Sequence, residues 1–194
     1  MTAPVRKAGY EVKAAAFRGY VEQLEKLGVL AAVRDYVPEE TRRAIDSPPL
    51  PSVWIDAMIV EDIIEGLQAL RGLEGVRLVT SAGQKSGVAR VLIPVAGALM
   101  RIFGTRPDTL LARFPEMTKT VIRGVDFQWV LDTPTSGHFQ VTFPRKNTPR
   151  HVFIGMESGC WLILELCHAR GTVKDTEIIN EGTTGVIRVS WSAF

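Results

Sequence analysis

Glu165-Leu-Cys-His168 sets a carboxylate and an imidazole three residues apart. On a helix that spacing puts both on one face, as in helical metal sites, and the same pair could serve as acid and base. A two-metal site needs a second such motif, and the sequence has none. Glu61 and Glu65 are carboxylates one turn apart on another helix, but nothing in the sequence brings them to His168. The plainer account is an exposed Glu–His pair near a helix end, where the dipole favours a histidine cation.

Cys160 and Cys167 stand beside His168, yet neighbouring residues on a helix point in different directions. No activated nucleophile is implied, and both read as buried structural thiols. At about 1.5 Å rise per residue their Cα atoms are about 10 Å apart, too far for a disulfide within one helix. His138 and His151 are isolated and read as polar surface, although a lone histidine can ligate iron or another metal. Gly83-Gln-Lys-Ser-Gly87 lacks the spacing of a phosphate-binding loop. Arg145, Lys146 and Arg150 make one basic loop, read as solvated rather than as an anion dock.

These residues need elements to position them, and the central one is Ile154–Arg170, read as a long buried helix. Met156, Cys160, Ile163 and Cys167 share one face, with Gly155 and Gly159 beside them. Two glycines in one turn weaken a helix by about 1 kcal/mol each relative to alanine, so they predict a close backbone neighbour, the sheet. Glu157, Trp161, Glu165 and His168 form a second stripe, either solvated or the wall of a pocket. Arg170-Gly171 ends the helix. Strand-like segments flank it, Val125–Asp132 and His138–Pro144 before, Thr172–Asn180 and Gly185–Trp191 after.

The first two-thirds reads as helical. Val12–Leu27 is amphipathic, Val29–Tyr36 a short turn, and a helix opens at Pro38 and runs to Ile45. Ser47–Ser52 is an extended connector rich in proline. Val53–Arg71 predicts a helix that buries Trp54, Met58, Ile59, Ile63, Leu67 and Leu70 and turns Glu61, Asp62 and Glu65 outward. Gly72–Gly83 reads as a loop, with Val76–Thr80 as a possible strand. Val88–Phe103 is apolar nearly all round and predicts a core helix, kinked at Pro94. Pro107–Ile122 predicts two helical pieces joined at Pro115. The class is therefore α+β: a helical N-terminal part followed by a strand–strand–helix–strand–strand antiparallel sheet. One domain spans 1–194, with a helical segment at 1–50, a helical part at 53–124 and the sheet at 125–191.

Composition narrows the function classes. Hydrophobic residues make up 46% and charged residues 23% of 194, ordinary for a globular domain. A net charge of +2 makes no general case for nucleic acid or an anionic membrane. Residues 1–10 hold no apolar leader, and the longest apolar run, Val91–Met100, is too short for a bilayer, which needs about 20 residues. With only two cysteines, the setting expected is reducing and cytoplasmic.

Several features resemble a known family: the Trp54 segment, Gly83 and Gly87 leading into an apolar helix, Arg106-Pro-Asp-Thr-Leu-Leu-Ala-Arg-Phe-Pro115, Gly155 in the last helix, Leu-Glu-Leu-Cys-His-Ala-Arg-Gly171 and Ile-Arg-Val-Ser-Trp191. The pattern is similar to a domain of unknown function grouped as a paralogous set in Myxococcus xanthus, across residues 12–191. That family carries no catalytic residues to transfer. The ending more distantly resembles the group of 4-vinyl reductase, haem-nitric-oxide-binding and TRAPP-subunit folds. That resemblance implies binding of a small apolar ligand or service as an assembly subunit. The 4-vinyl reductase cysteine cluster and the Tyr-x-Ser-x-Arg haem motif are both missing here, which argues against metal or haem.

Large aromatics crowd the last third: Phe127, Trp129, Phe139, Phe143, Phe153, Trp161 and Trp191. Either they fill the core or they enclose an apolar pocket between helix and sheet. The expectation is a non-catalytic domain, sensory or binding a small apolar ligand, with a pocket lined by Phe127, Trp129, Phe139, Met156, Cys160 and Trp161, with no cofactor and no nucleic-acid partner. The alternative is an assembly protein acting as a homodimer. Glu165 and His168 are the weak metal or acid–base candidates.

Overall fold

The computed structural model describes residues 6–192. The reading of residues 1–10 as leaderless falls partly outside that range.

The C-terminal sheet follows from alternation. β5 (Ser136–Thr142) buries Gly137, Phe139 and Val141 and leaves their neighbours half-covered. It pairs antiparallel with β4 (Asp126–Thr133) on one side and β8 (Thr184–Trp191) on the other. Beyond β8 the single strand expected over Thr172–Asn180 is broken into β6 (Gly171–Val173) and β7 (Glu177–Ile179), both antiparallel to β8. The break has a cause. Thr176 turns inward and donates its backbone N–H and its hydroxyl to the buried Glu157 carboxylate at 2.7 and 2.6 Å.

The central helix α7 spans Arg150–Leu166, starting just after Pro149 and ending before Arg170. It ends early because His168 adopts a left-handed conformation, φ 53°. The His168 and Ala169 N–H groups donate to the carbonyls of Glu165 and Leu164, each at 3.0 Å, closing a Schellman cap. Between the sheet and α7 lie Phe139, Phe143 and Phe153, all fully buried or nearly so.

Three short strands absent from the sequence reading form a second sheet, β2-β1-β3: β1 (Glu11–Lys13), β2 (Trp54–Asp56) and β3 (Ile122–Arg123). Helix α1 therefore begins at Ala14 and runs to Lys26, followed by α2 (Leu30–Tyr36) and α3 (Glu39–Asp46). Trp54 lies on a strand, its ring covered by the Lys13 ammonium at 4.1 Å and the Arg123 guanidinium at 4.7 Å.

Helix α4 covers Met58–Gly83 and bends at Gly72, whose φ is +65°. The loop expected at 72–83 is helical because Val76, Val79, Thr80 and Gly83 share one buried face by helical spacing. A wide π-turn, Gln84–Val88, joins it to α5 (Ala89–Phe103). Gly19, Gly83 and Gly87 make that turn possible: a Cβ on Gly19 would lie 2.5 Å from the Gly83 carbonyl, and one on Gly87 2.4 Å from the Ala15 carbonyl. Glycine spacing here serves backbone contact, not phosphate. Helix α5 is not a core helix. Only Ala89, Leu92 and Ala96 are buried. Helix α6 (Pro107–Thr118) runs unbroken through Pro115, since the lost hydrogen bond falls near its C-terminal end.

A cavity against helix α7

Four helices and the small sheet meet the face of α7 opposite the large sheet, and they leave a cavity of about 90 Å³. From α7 come Val152, Gly155, Met156, Gly159 and Leu162. Ala16 and Tyr20 of α1, Val60, Glu61 and Ile64 of α4, Val88 and Leu92 around the π-turn, and Phe114 of α6 close the rest, with Tyr10 and Val12 as one wall. The glycines of α7 therefore face this cavity and not the sheet. A Cβ on Gly155 would meet nothing nearer than 3.9 Å. One on Gly159 would lie 2.8 Å from the Phe114 ring.

One polar cluster marks the wall. Glu61 and Asp62, expected on the solvated side of α4, are 4% and 6% exposed. In the first turns of α4 the outward side is taken by Glu65, Gln68 and Ala69, and Glu61 and Asp62 fall on covered sides. The Tyr10 hydroxyl donates to Glu61 Oε1 at 2.9 Å, and Arg145 Nη2 donates to Glu61 Oε2. Burial raises Glu61 above the usual carboxylate range, opposed by Arg145 and by the Tyr10 hydrogen bond. Burial, with the Glu61 charge beside it, pushes the Tyr10 phenol well above its usual value. Tyr20, on the same wall, is pushed up to about 12 by burial. Both phenols are neutral at any physiological pH. Asp62 accepts from the Thr41 hydroxyl at 2.6 Å, and burial raises it.

The basic loop before α7 is not free in solution. Arg145 pairs with Glu61, and Arg150 donates to buried Glu157 at 2.8 Å. Arg77 of α4 reaches the other Glu157 oxygen at 3.3 Å. His151 is not polar surface either. It is 5% exposed, its Nδ1 lies 3.1 Å from Gln68 Oε1, and its Nε2 is buried without a partner. Burial pushes its pKa down to about 4.

Of the residues proposed from sequence, Met156 lies on the cavity wall. Phe127, Trp129 and Phe139 do not line it. They form a ring cluster on the sheet, with Trp129 and Phe139 ring centres 4.6 Å apart, and Phe114 of α6 packs on it 5.3 Å from Phe139 and edge-on to Phe127 at 6.3 Å. Cys160 is fully buried and away from the cavity, its thiol raised by burial. Trp161 is 42% exposed, so its stripe is solvent-facing there. Glu165 pairs with Lys85 at 2.8 Å on the surface, and His168 caps α7. Among the described residues no group of three or more His, Cys, Asp or Glu could hold a metal ion. Sequence reasoning missed Tyr10, Tyr20, Glu61 and Phe114. Tyr10 and Glu61 are 51 positions apart, and no spacing rule joins them.

No protein-family model matches the chain, and no curated protein does. Solved structures do. The fold is H-NOX-like. An H-NOX variant carrying 4-cyano-L-phenylalanine (Cs H-NOX) superposes with a TM-score of 0.66 at 13% identity, covering 93% of this chain and 97% of that one. An oxygen-binding H-NOX domain related to soluble guanylate cyclases gives 0.63 at 13%, covering 93% and 95%. An Fe(II) unliganded H-NOX protein from K. algicida gives 0.60 at 14%, covering 94% and 97%. The H-NOX-like likeness extends beyond the terminal sheet to nearly the whole chain.

Proposed function

We propose that this chain is a non-catalytic ligand-binding or sensory domain that takes a small, mostly apolar molecule into the cavity against α7, without haem. The observation that carries this reading is Gly155. It sits inside a 17-residue helix, and a Cβ there would meet Gln84, Tyr20 and Thr80 only at 3.9–4.0 Å, so the core keeps room for a methyl that the chain leaves unfilled. Glycine inside a helix costs about 1 kcal/mol, and no close backbone contact explains it here.

Haem is the group that the structural neighbours bring to mind, and the residues do not fit it. The cavity wall carries no histidine and no cysteine. Tyr10 and Tyr20 are held as neutral phenols, and Met156 alone is a weak axial ligand. A volume of about 90 Å³ is far below the roughly 300–1,000 Å³ of cofactor-sized pockets.

Val88 and Leu92 give this reading an output. They touch the cavity from the π-turn and α5, whose opposite side faces solvent. Filling the cavity presses on that helix. The likeness to the Myxococcus xanthus set belongs to the same proposal, supported by Gly83, Gly87 and Gly155 at positions where the fold uses glycine. So does a cytoplasmic setting, supported by two buried free thiols.

The test is xenon binding followed by xenon NMR, with native mass spectrometry of the purified chain. A saturable xenon shift lost in Gly155→Leu is expected. No saturable shift, or an equal shift in Gly155→Leu, would sink the proposal. A stoichiometric Soret band after haemin addition would overturn its haem-free part.

A further inference from the structure

The polar side chains on the cavity wall are paired, with one exception. Tyr10 donates to Glu61, whose second oxygen takes Arg145. Gln84 Nε2 donates to the Gly155 carbonyl, and the Thr118 hydroxyl donates to the Pro115 carbonyl at 2.9 Å. Among the described residues the Tyr20 hydroxyl makes no hydrogen bond, although the ring is buried. Thr80 stands close enough to favour the Tyr20 phenolate, yet its own hydroxyl is fully buried with no hydrogen-bond partner. Burial outweighs that influence and holds the phenol at about 12, so the proton stays on the oxygen. Buried hydroxyls are paired as a rule, and leaving one unpaired is costly. The Tyr20 oxygen and Gln84 Nε2 each lie 3.9 Å from the point where a Cβ on Gly155 would stand. The unmade donor therefore borders the one place on α7 where the chain leaves room.

We infer that the occupant of this cavity is a small uncharged molecule with one acceptor oxygen, an alcohol, aldehyde or ketone, whose oxygen lies over Gly155 and accepts from Tyr20. This rests on the reading of the cavity as a binding site and names the class of ligand it takes. Size follows from volume. A cavity of about 150 Å³ holds benzene, so about 90 Å³ admits roughly four non-hydrogen atoms. One water, which needs about 10–15 Å³, would answer Tyr20 and leave most of the space empty. That remaining space is walled by Val88, Leu92, Phe114, Met156 and Leu162, which offer a water no partner and suit a short hydrocarbon end. Charge is excluded at both signs. The Glu61 carboxylate repels an anion, and both its oxygens are already taken, so it does not call for a cation.

The experiment labels the methionine methyl groups of the full chain with ¹³C and titrates it with acetone and, separately, with xenon. Met156 lies on the wall and reports the cavity, and Met100, on α5 and away from it, is the control. Acetone should shift the Met156 methyl saturably and leave Met100 still. In Tyr20→Phe acetone should bind at least about fivefold more weakly, the worth of one buried hydrogen bond, while xenon shifts Met156 as in the wild type. That retained xenon response shows the variant to be folded with its cavity intact. Equal acetone affinity in the two proteins overturns the inference. So does a Met156 methyl that answers to xenon and not to acetone, which would leave an ordered water as the partner of Tyr20 and the cavity reading intact. No response to either probe overturns both readings together.

Discussion

The Tyr10 hydroxyl and the Glu61 carboxylate meet at 2.9 Å, tying the residue before β1 to α4 at the one charged point on the cavity wall. Arg145 holds the second oxygen, so the carboxylate is bound from both sides. Removing either donor leaves a buried acceptor unsatisfied. Tyr10→Phe is expected to destabilise by about 2 kcal/mol, and Arg145→Met by about 3 kcal/mol because it strands a charge. Urea unfolding measures both. A carboxyl whose folded pKa is raised favours the protonated fold, so its penalty grows as pH rises. Arg145→Met should therefore lose more stability at about pH 8 than at about pH 5.

His151 carries the opposite sign. Its folded pKa of about 4 lies below the ordinary histidine value of 6.5. The unfolded chain takes up the proton first, so stability is fully present above about 6.5 and lost as pH falls towards 4. At about 1.36 kcal/mol per unit, acidifying from about pH 7.5 to about pH 5 should remove about 2 kcal/mol through this residue. Glu65 and Arg145 face the ring, and Glu61 and Asp62 work in the other direction, so the readout is the difference between the wild type and His151→Gln. Equal pH slopes for the two would show that the ring does not titrate as described.

The two glycines of α7 separate cleanly. Alanine at 155 finds ordinary contact distances and a better helix, and should stabilise by about 1 kcal/mol, a rise of about 3 °C in Tm. Alanine at 159 meets the Phe114 ring at 2.8 Å and should destabilise by about 1–3 kcal/mol. Thermal melts of the two variants decide it, and the same sign for both would contradict the packing.

Cys160 and Cys167 should resist alkylation in the folded protein and react fully in denaturant. Burial raises both thiols, Cys167 to about 11, so little thiolate forms near neutral pH. Rapid labelling of the native chain, read by intact mass, would refute this.

Much of the architecture was legible because one kind of pattern carried it. Phe139 and Val141 alternating with polar neighbours announce β5, and the order strand, strand, helix, strand, strand is observed with its fourth strand split into β6 and β7. What failed was orientation. Glu61 reads as surface by charge, yet it is buried by a partner 84 positions away, Arg145, which itself reads as solvated loop. The α5 helix reads as core by composition, yet only Ala89, Leu92 and Ala96 are buried, because composition reports preference and not the number of neighbours available. Of the cavity, the glycines were visible as an anomaly, but their direction was not, since a missing side chain points to either face.

Strand β8 has a temporal consequence. It pairs with β5, β6 and β7, all of which precede it in the chain. During synthesis, therefore, β4 and β5 can join as a ribbon, but every other register of the large sheet waits until Trp191 has emerged. The Phe139 side of that ribbon, paired to β8 at Ile187, stays open for the interval. Long-range antiparallel closure of this kind is slow compared with helix formation. Chaperone demand should thus concentrate on a helical intermediate whose unfinished edge is β5.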